Sequence, residues 1–293
     1  MGGDLDGLAA AMAHAHGQDL TMGRRFWKMS GSGNDFVVFD SRSATAEPLE
    51  RPEAIQALSA RGTGVGADGV VFVAPAALSG AAVAMRYYNA DGSRASFCGN
   101  ATLCVTRLAH DLGLSPRGNL ALQTDAGVIA TRMGAEGPEI DLPAVTEVMD
   151  NVPLGLLGGE SRIGFALAGV PHLVVLCDDV AEVDLGARGA ELRHGSWRPG
   201  GVNANFVSRR RDGWVMRTFE RGVEGETLAC GTGAVATAIV LAMWKETGDA
   251  TTLATRSGRE LRVTLRQEGS KWLPTLAGEG RIVFEGDLAE WTG

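Results

Sequence analysis

The sequence predicts an α+β fold of two lobes built to one design, and two observations carry that prediction. The first is a near-repeat. The turn Asn89-Ala90-Asp91-Gly92-Ser93-Arg94 leads to Cys98-Gly99-Asn100, and Glu220-Arg221-Gly222-Val223-Glu224-Gly225-Glu226-Thr227 leads to Cys230-Gly231-Thr232-Gly233. Each block sets a cysteine ahead of a glycine turn and a run with helical spacing. The second is the offset. The cysteines lie about 132 residues apart and the strands opening each round about 138, the signature of a duplicated unit.

The elements follow in order. Residues 36–40 form an apolar strand after the turn 30–34, and the turn 64–69 leads into the apolar run 70–73. A strand over 83–88 precedes the Asn-Ala-Asp-Gly turn. Leu103, Cys104, Leu108 and Leu112 recur at helical spacing over 101–111, and Gly113 ends that helix. Further strands are expected over 120–124, 127–133 and 139–142. The second round opens with Gly169-Val170-Pro171-His172 before a strand over 173–176, with another strand over 214–219. Its helix runs over 234–247 and stops at Gly248. A last strand, 281–284, is expected to return to the first lobe. The domain reading is therefore 26–142 plus 277–293 for the lobe holding Cys98, and 143–276 for the lobe holding Cys230. Residues 1–25, rich in Gly, Ala and Asp, read as a disordered N-terminal extension, with Met22 as an alternative start.

Composition excludes several function classes. A net charge of −8 offers no footprint for nucleic acid and no attraction to an anionic membrane surface. No uncharged apolar run reaches membrane-spanning length. The opening residues are acidic where a secretory signal would be basic, so a cytoplasmic location is expected. The four cysteines, at 98, 104, 177 and 230, form no CxxC pair and no zinc spacing, so no metal is expected. In a reducing compartment they are free thiols. Cys104, on an apolar helix face, and Cys177, at a strand end, read as small core residues.

Cys98 and Cys230 read differently. A thiol at a helix N-terminus is expected to have its pKa drawn down toward neutrality by the helix dipole. Two such thiols across one substrate can invert a stereocentre that bears an acidic C–H: one removes a proton from one face and the other delivers a proton to the opposite face. Backbone N–H groups at Gly99, Asn100, Gly231 and Thr232 are placed to hold the carboxylate that takes up the charge. His172, in a turn matching the first-lobe turn, is either a structural histidine or a proton acceptor for a thiol. Glu220 and Arg221 are either a surface ion pair or a substrate contact, with Arg221 suited to bidentate carboxylate binding. Asn34, Asn89 and Asn203 lie in turns, where asparagine also serves the backbone.

Together these segments resemble the diaminopimelate epimerase family. The resemblance rests on Gly33-Asn34-Asp35-Phe36, Gly64-Val65-Gly66-Ala67-Asp68, Asn89-Ala90-Asp91-Gly92-Ser93, Cys98-Gly99-Asn100, Pro171-His172, Gly201-Val202-Asn203, Glu220-Arg221 and Ala229-Cys230-Gly231-Thr232-Gly233. It implies two pseudo-symmetric lobes, each a β-barrel-like sheet around a central helix, with the site in the cleft. It implies a cofactor-independent isomerase that interconverts LL- and meso-diaminopimelate in lysine and cell-wall precursor synthesis. A small amino acid is then the only substrate partner, and the assembly is a homodimer. The resemblance makes Cys98 and Cys230 the acid/base pair, each assisted by His172 or Glu220. It gives Asn34, Asn89, Asn203 and Arg221 the distal end of the substrate. Gly99-Asn100 and Gly231-Thr232 take the reacting carboxylate.

The chain departs from the family pattern in three places. Val170 stands where Gly-Asn-Pro-His has asparagine. Ala101 and Leu103 stand where Cys-Gly-Asn-Gly-x-Arg-Cys has glycine and arginine. Three alternatives stay open at this point: a racemase of another amino acid, a non-catalytic amino-acid-binding homologue and a thiol redox protein.

Overall fold

A computed structural model describes residues 23–211 and 213–289. The expected extension over 1–25 lies outside the described residues apart from 23–25.

The first round contains strands β1 (Arg25–Gly31), β2 (Asn34–Asp40), β3 (Gly69–Ala74), β4 (Val83–Asn89), β5 (Arg94–Ala95), β6 (Asn119–Thr124), β7 (Gly127–Met133) and β8 (Pro138–Asp141). The first closes with β9 (Val148–Met149), and the second contains β10 (Glu160–Ala168), β11 (Val170–Cys177), β12 (Asn203–Arg210), β13 (Gly213–Glu220), β14 (Gly225–Thr227), β15 (Ala250–Ala254), β16 (Glu260–Glu268), β17 (Lys271–Gly278) and β18 (Arg281–Asp287). The helices are α1 (Pro52–Ser59), α2 (Gly99–Asp111), α3 (Ala190–His194) and α4 (Gly231–Met243).

The pairing repeats step for step. In the first round β1–β2 is antiparallel, β2–β3 parallel, β3–β4 antiparallel, β4–β6 parallel and β6–β7 antiparallel. In the second, β10–β11, β11–β12, β12–β13, β13–β15 and β15–β16 follow the same sequence of senses. Sequence analysis names no strand over 25–31, 160–168, 203–210 or 250–278, and the structure forms six there. In β1 the reason is burial on both faces: Phe26, Trp27, Lys28 and Met29 are all buried, so the alternation that marks a half-exposed strand is absent.

The two rounds exchange strands. The short β9, at the end of the first round, pairs with β10 of the second. The last strand, β18, returns to pair antiparallel with β1 of the first. Between them β17 pairs with β8, setting Leu276 opposite Ile140 and joining both barrels into one eighteen-stranded sheet. A chain laced in both directions buries a continuous core at the junction. Leu103, Ile140 and Leu276 are fully buried in the same cluster as Ala234, Val235 and Ile239 of α4.

Each barrel encloses its helix. Helix α4 is apolar on nearly every side, and residues 233–241 are all buried, as expected of a helix wrapped by sheet. The two central helices also meet at their N-termini. A Cβ placed on Gly231 would lie 3.0 Å from Leu276 Cδ2 and 3.8 Å from Gly99 Cα. One on Gly99 would lie 3.9 Å from Gly231 Cα. The hairpin turn between β1 and β2 is clamped nearby. Ser257 Oγ donates to the Ser32 carbonyl at 2.8 Å, the Glu279 amide donates to Ser32 Oγ at 3.0 Å, and Ser32 takes a φ of 53°.

Leu276 is thus the joint of both barrels. Leu276→Ala is expected to lower unfolding stability by about 2–5 kcal/mol, the range for an unfilled core cavity. Urea denaturation measures it, and a loss below about 1 kcal/mol would contradict that role.

Candidate functional site

The strand exchange leaves a cleft between the lobes, a cavity of about 910 Å³ lined by both. Cys98 and Cys230 both line it, each as the N-cap residue of its central helix. Their backbones nearly coincide in conformation: φ −144°, ψ 116° at Cys98 and φ −137°, ψ 108° at Cys230. Extended dihedrals at an N-cap turn the side chain back over the first helical turn, toward the N–H groups of its own helix. The Ala101 and Asn100 amides favour a thiolate at Cys98, and the Gly233 amide one at Cys230. Cys230 Sγ also lies 3.6 Å from Thr232 Oγ1.

Burial works against the expected depression of the thiol pKa. Burial is the largest influence at both cysteines, and it opposes the helix N–H groups. Cys98 is pushed up to about 11 and Cys230 higher still. The nearby Glu220 carboxyl pushes both in the same direction. Glu220 is itself held above the usual carboxylate range, by burial first and by Asp68 second. Desolvating an anion outweighs a few oriented dipoles when no cation shares the site.

The other expected residues fall into two groups. Asn34, Asn89, Gly99, Asn100, Asn203, Glu220, Arg221, Gly231 and Thr232 all line the cavity. Their amides are held by the protein. Asn34 donates to Asp68 Oδ2 at 2.9 Å and accepts from Asn100 Nδ2 at 2.7 Å. Asn89 donates to Ser93 Oγ at 3.0 Å, and Asn203 accepts from the Arg221 backbone amide at 2.8 Å. Asn100 Oδ1 is buried without a hydrogen-bond partner, facing Gly231.

His172 does not reach the cavity wall. It is fully buried behind it, with Nδ1 at 3.1 Å from Asn205 Nδ2. Asn205 is fixed in turn by Leu173 O at 2.9 Å and by the Thr218 hydroxyl at 3.0 Å. Burial, with the Arg221 charge adding to it, lowers the His172 pKa to about 3. Burial therefore disfavours the charged imidazole at this position.

Two residues outside the sequence reading belong to the site. Asp68 anchors Asn34 and is tied by Arg61, which also binds Asp35. Lys28, buried, pairs with Asp35 at 2.6 Å and donates to the Gly66 carbonyl. Asp68 was legible as the end of a glycine-rich turn, whereas its partners were not. Tyr87 lines the cavity beside Cys98. Two of the departures from the family pattern prove internal. Ala101 and Leu103 are fully buried, and Leu103 lies in the core at the lobe junction, where an arginine would need a charged partner. Val170 is different, since it lines the cavity.

The comparisons agree with this geometry. The diaminopimelate epimerase family model matches residues 26–152 and 165–283. A diaminopimelate epimerase of Gemmatimonas aurantiaca is 47% identical over 277 residues, covering 90% of this chain and 99% of that protein. Another, of Aquifex aeolicus, is 36% identical over 280 residues, covering 90% and 98%. Among solved structures, a phenazine biosynthesis protein of the PhzF family from Bacillus anthracis superposes with a TM-score of 0.71 at 16% identity, covering 90% of this chain and 98% of that one. A hydroxyproline epimerase from Agrobacterium vitis gives 0.65 at 17% identity, covering 91% and 93%. At such identities these two show the fold.

The thiol shift has a measurable consequence. Alkylation of Cys98 in the ligand-free protein is expected to climb steadily toward pH 11, and a plateau near pH 7 would show the dipole prevailing. The sign for stability follows. The unfolded thiol ionises near 8.5 and the folded one near 11, so the native state retains a proton the unfolded chain has lost. Stability falls as pH rises through that window.

Proposed function

The chain belongs to the diaminopimelate epimerase family, and from that premise we propose that it interconverts LL- and meso-diaminopimelate by a two-base reaction between Cys98 and Cys230. The observation that carries the mechanism is the matched pair of N-cap cysteines on two helices whose N-termini meet in one cavity.

The chemistry runs as proton removal and proton delivery. One cysteine, as thiolate, takes the α-proton. The C–H electron pair moves into the α-carboxylate, giving an enediolate-like charge on oxygen. Amides at Gly99-Asn100 and Gly231-Thr232 are suited to bind that charge, because helix N-termini present unpaired N–H groups. The other cysteine, as thiol, protonates the opposite face of the same carbon. The product has inverted configuration, and the two cysteines have exchanged protonation states. No cofactor is needed in this scheme.

Burial sets the condition for the first step. Burial disfavours the thiolate at both cysteines, so a positive charge nearby helps ionisation. The α-ammonium group of the substrate supplies one, and a nearby cation favours the thiolate. Glu220 lies near both sulfurs and is a candidate partner for that ammonium group. Asn34, Asn89, Asn203 and Arg221 are assigned to the distal end, where Arg221 suits the second carboxylate. His172 is retained as a positioning group behind the Cys230 lobe. The reading includes a reducing cytoplasm, supported by four cysteines that are all free.

Proton NMR of LL-diaminopimelate in D2O tests the reaction directly. Loss of the α-proton signal with appearance of the meso form is the expected result. Cys98→Ser and Cys230→Ser are each expected to cut turnover at least about 100-fold, the low end for a general acid or base. Near-normal turnover in either variant would remove the two-base scheme.

Val170 generates a second test. It lines the cavity where the family pattern has a substrate-binding asparagine. Val170→Asn is expected to lower KM for diaminopimelate about fivefold, the scale of one added hydrogen bond, with kcat little changed. An unchanged KM, or tighter use of a different amino acid by the parent protein, would mean the distal contacts are respecialised.

A further inference from the structure

The two lobes share a topology but surround their thiols with different chemistry. Strand register makes the comparison direct. Phe36 pairs with Gly69 across β2 and β3, and His172 pairs with Asn203 across β11 and β12. Val71 pairs with Tyr87, and Asn205 with Thr218. Phe36, Val71 and Tyr87 of the first lobe therefore occupy the places of His172, Asn205 and Thr218 in the second. In the second lobe Thr218 is turned inward, its hydroxyl bonded to Asn205. In the first lobe Tyr87 extends to the cavity, and Cys98 packs against the cluster that contains it.

Gly69 makes room for this arrangement. A Cβ on Gly69 would lie 2.6 Å from the Tyr87 ring, 3.0 Å from its hydroxyl oxygen and 2.6 Å from the Tyr88 carbonyl. Any side chain at 69 would displace the phenol. Phe36 then holds the ring edge-on, with centroids 6.0 Å apart and planes at 77°. The ring is thus fixed by backbone on one side and by an aromatic on another, and the residue lines the cleft.

We propose that Tyr87 is a further catalytic residue, whose hydroxyl hydrogen-bonds the Cys98 sulfur and stabilises its thiolate during proton abstraction. This rests on the two-cysteine reading above. When Cys98 takes the α-proton, the substrate C–H bond breaks and the S–H bond forms, and the phenol keeps its own proton throughout. Burial, with the charges of Cys98, Asp68 and Glu220 adding to it, moves the phenol far above its ordinary range, so it stays a donor at every working pH. Its hydrogen bond acts on Cys98 against burial and against Glu220. Cys230 has no aromatic hydroxyl beside it, only the Thr232 hydroxyl at 3.6 Å. The residue therefore acts on one half of a pseudo-symmetric reaction.

Tyr87→Phe isolates the hydroxyl while keeping the ring and its Phe36 contact. Three quantities are read: thermal melting, the pH dependence of alkylation at Cys98 and Cys230 by peptide mass, and kcat in both directions. The expected result is an unchanged melt and about tenfold slower alkylation of Cys98 at a given pH, the scale of a hydrogen bond to a charged group. Cys230 alkylation should not change. The ascending, low-pH limb of the pH–rate profile should move upward in the direction that uses Cys98 as base. A wild-type Cys98 alkylation profile, or equal losses at both cysteines, would overturn the proposal. Cys98→Ser distinguishes the two levels. If that variant still epimerises, the two-cysteine reading itself has failed. If it is inactive and Tyr87→Phe is unshifted, only the role of Tyr87 falls.

Discussion

The contact between Gly99 and Gly231 is the constraint on which the rest depends. The first residues of the two central helices lie in van der Waals contact, and Leu276 of the joining strand packs against both. Everything reactive follows from that approach. The residue before each glycine is an N-cap, so its side chain is presented at the helix mouth. The unpaired amides of both helices then converge on one volume.

The same closeness explains the electrostatic state of the cleft. Bringing both helices together buries both sulfurs, and burial acts against ionisation more strongly than the helix amides act for it. A cation beside the sulfurs would oppose that effect. An amino-acid substrate carries such a cation next to the carbon that reacts, so binding and activation are linked by charge. Arg221, Asp68 and Glu220 line the same cavity, which lets one substrate meet both signs of charge.

Pseudo-symmetry has limits that matter chemically. The backbone repeats through every strand pairing, because the exchange of β9 and β18 requires both barrels to present compatible edges. Side chains away from the junction are free of that requirement. The polar chain His172–Asn205–Thr218 in one lobe and the Phe36–Tyr87 pair in the other fill equivalent volumes with different functions. A neutral, fully buried histidine fits a positioning role, whereas a phenol in the cleft can touch a reacting atom.

The sequence by itself determined the paired glycine turns, the cysteines ahead of them, the central helices and most residues that line the cleft. Those are local signals: a helix start, a turn or a short motif is written in neighbouring residues. It also marked His172, but not that burial would disfavour its charged form. Nine strands escaped notice, among them β1, whose successive buried residues lack the alternation of a half-exposed strand. Only the tertiary structure decided that β18 pairs with β1, that Lys28, Arg61 and Asp35 support Asn34 through Asp68, and that Tyr87 stands at Cys98 because Gly69 leaves room. Those facts depend on residues distant in the chain sharing one volume. Desolvation, likewise, is a property of the assembled surroundings and not of any residue type, which is why the thiols sit higher than their helix positions alone would imply.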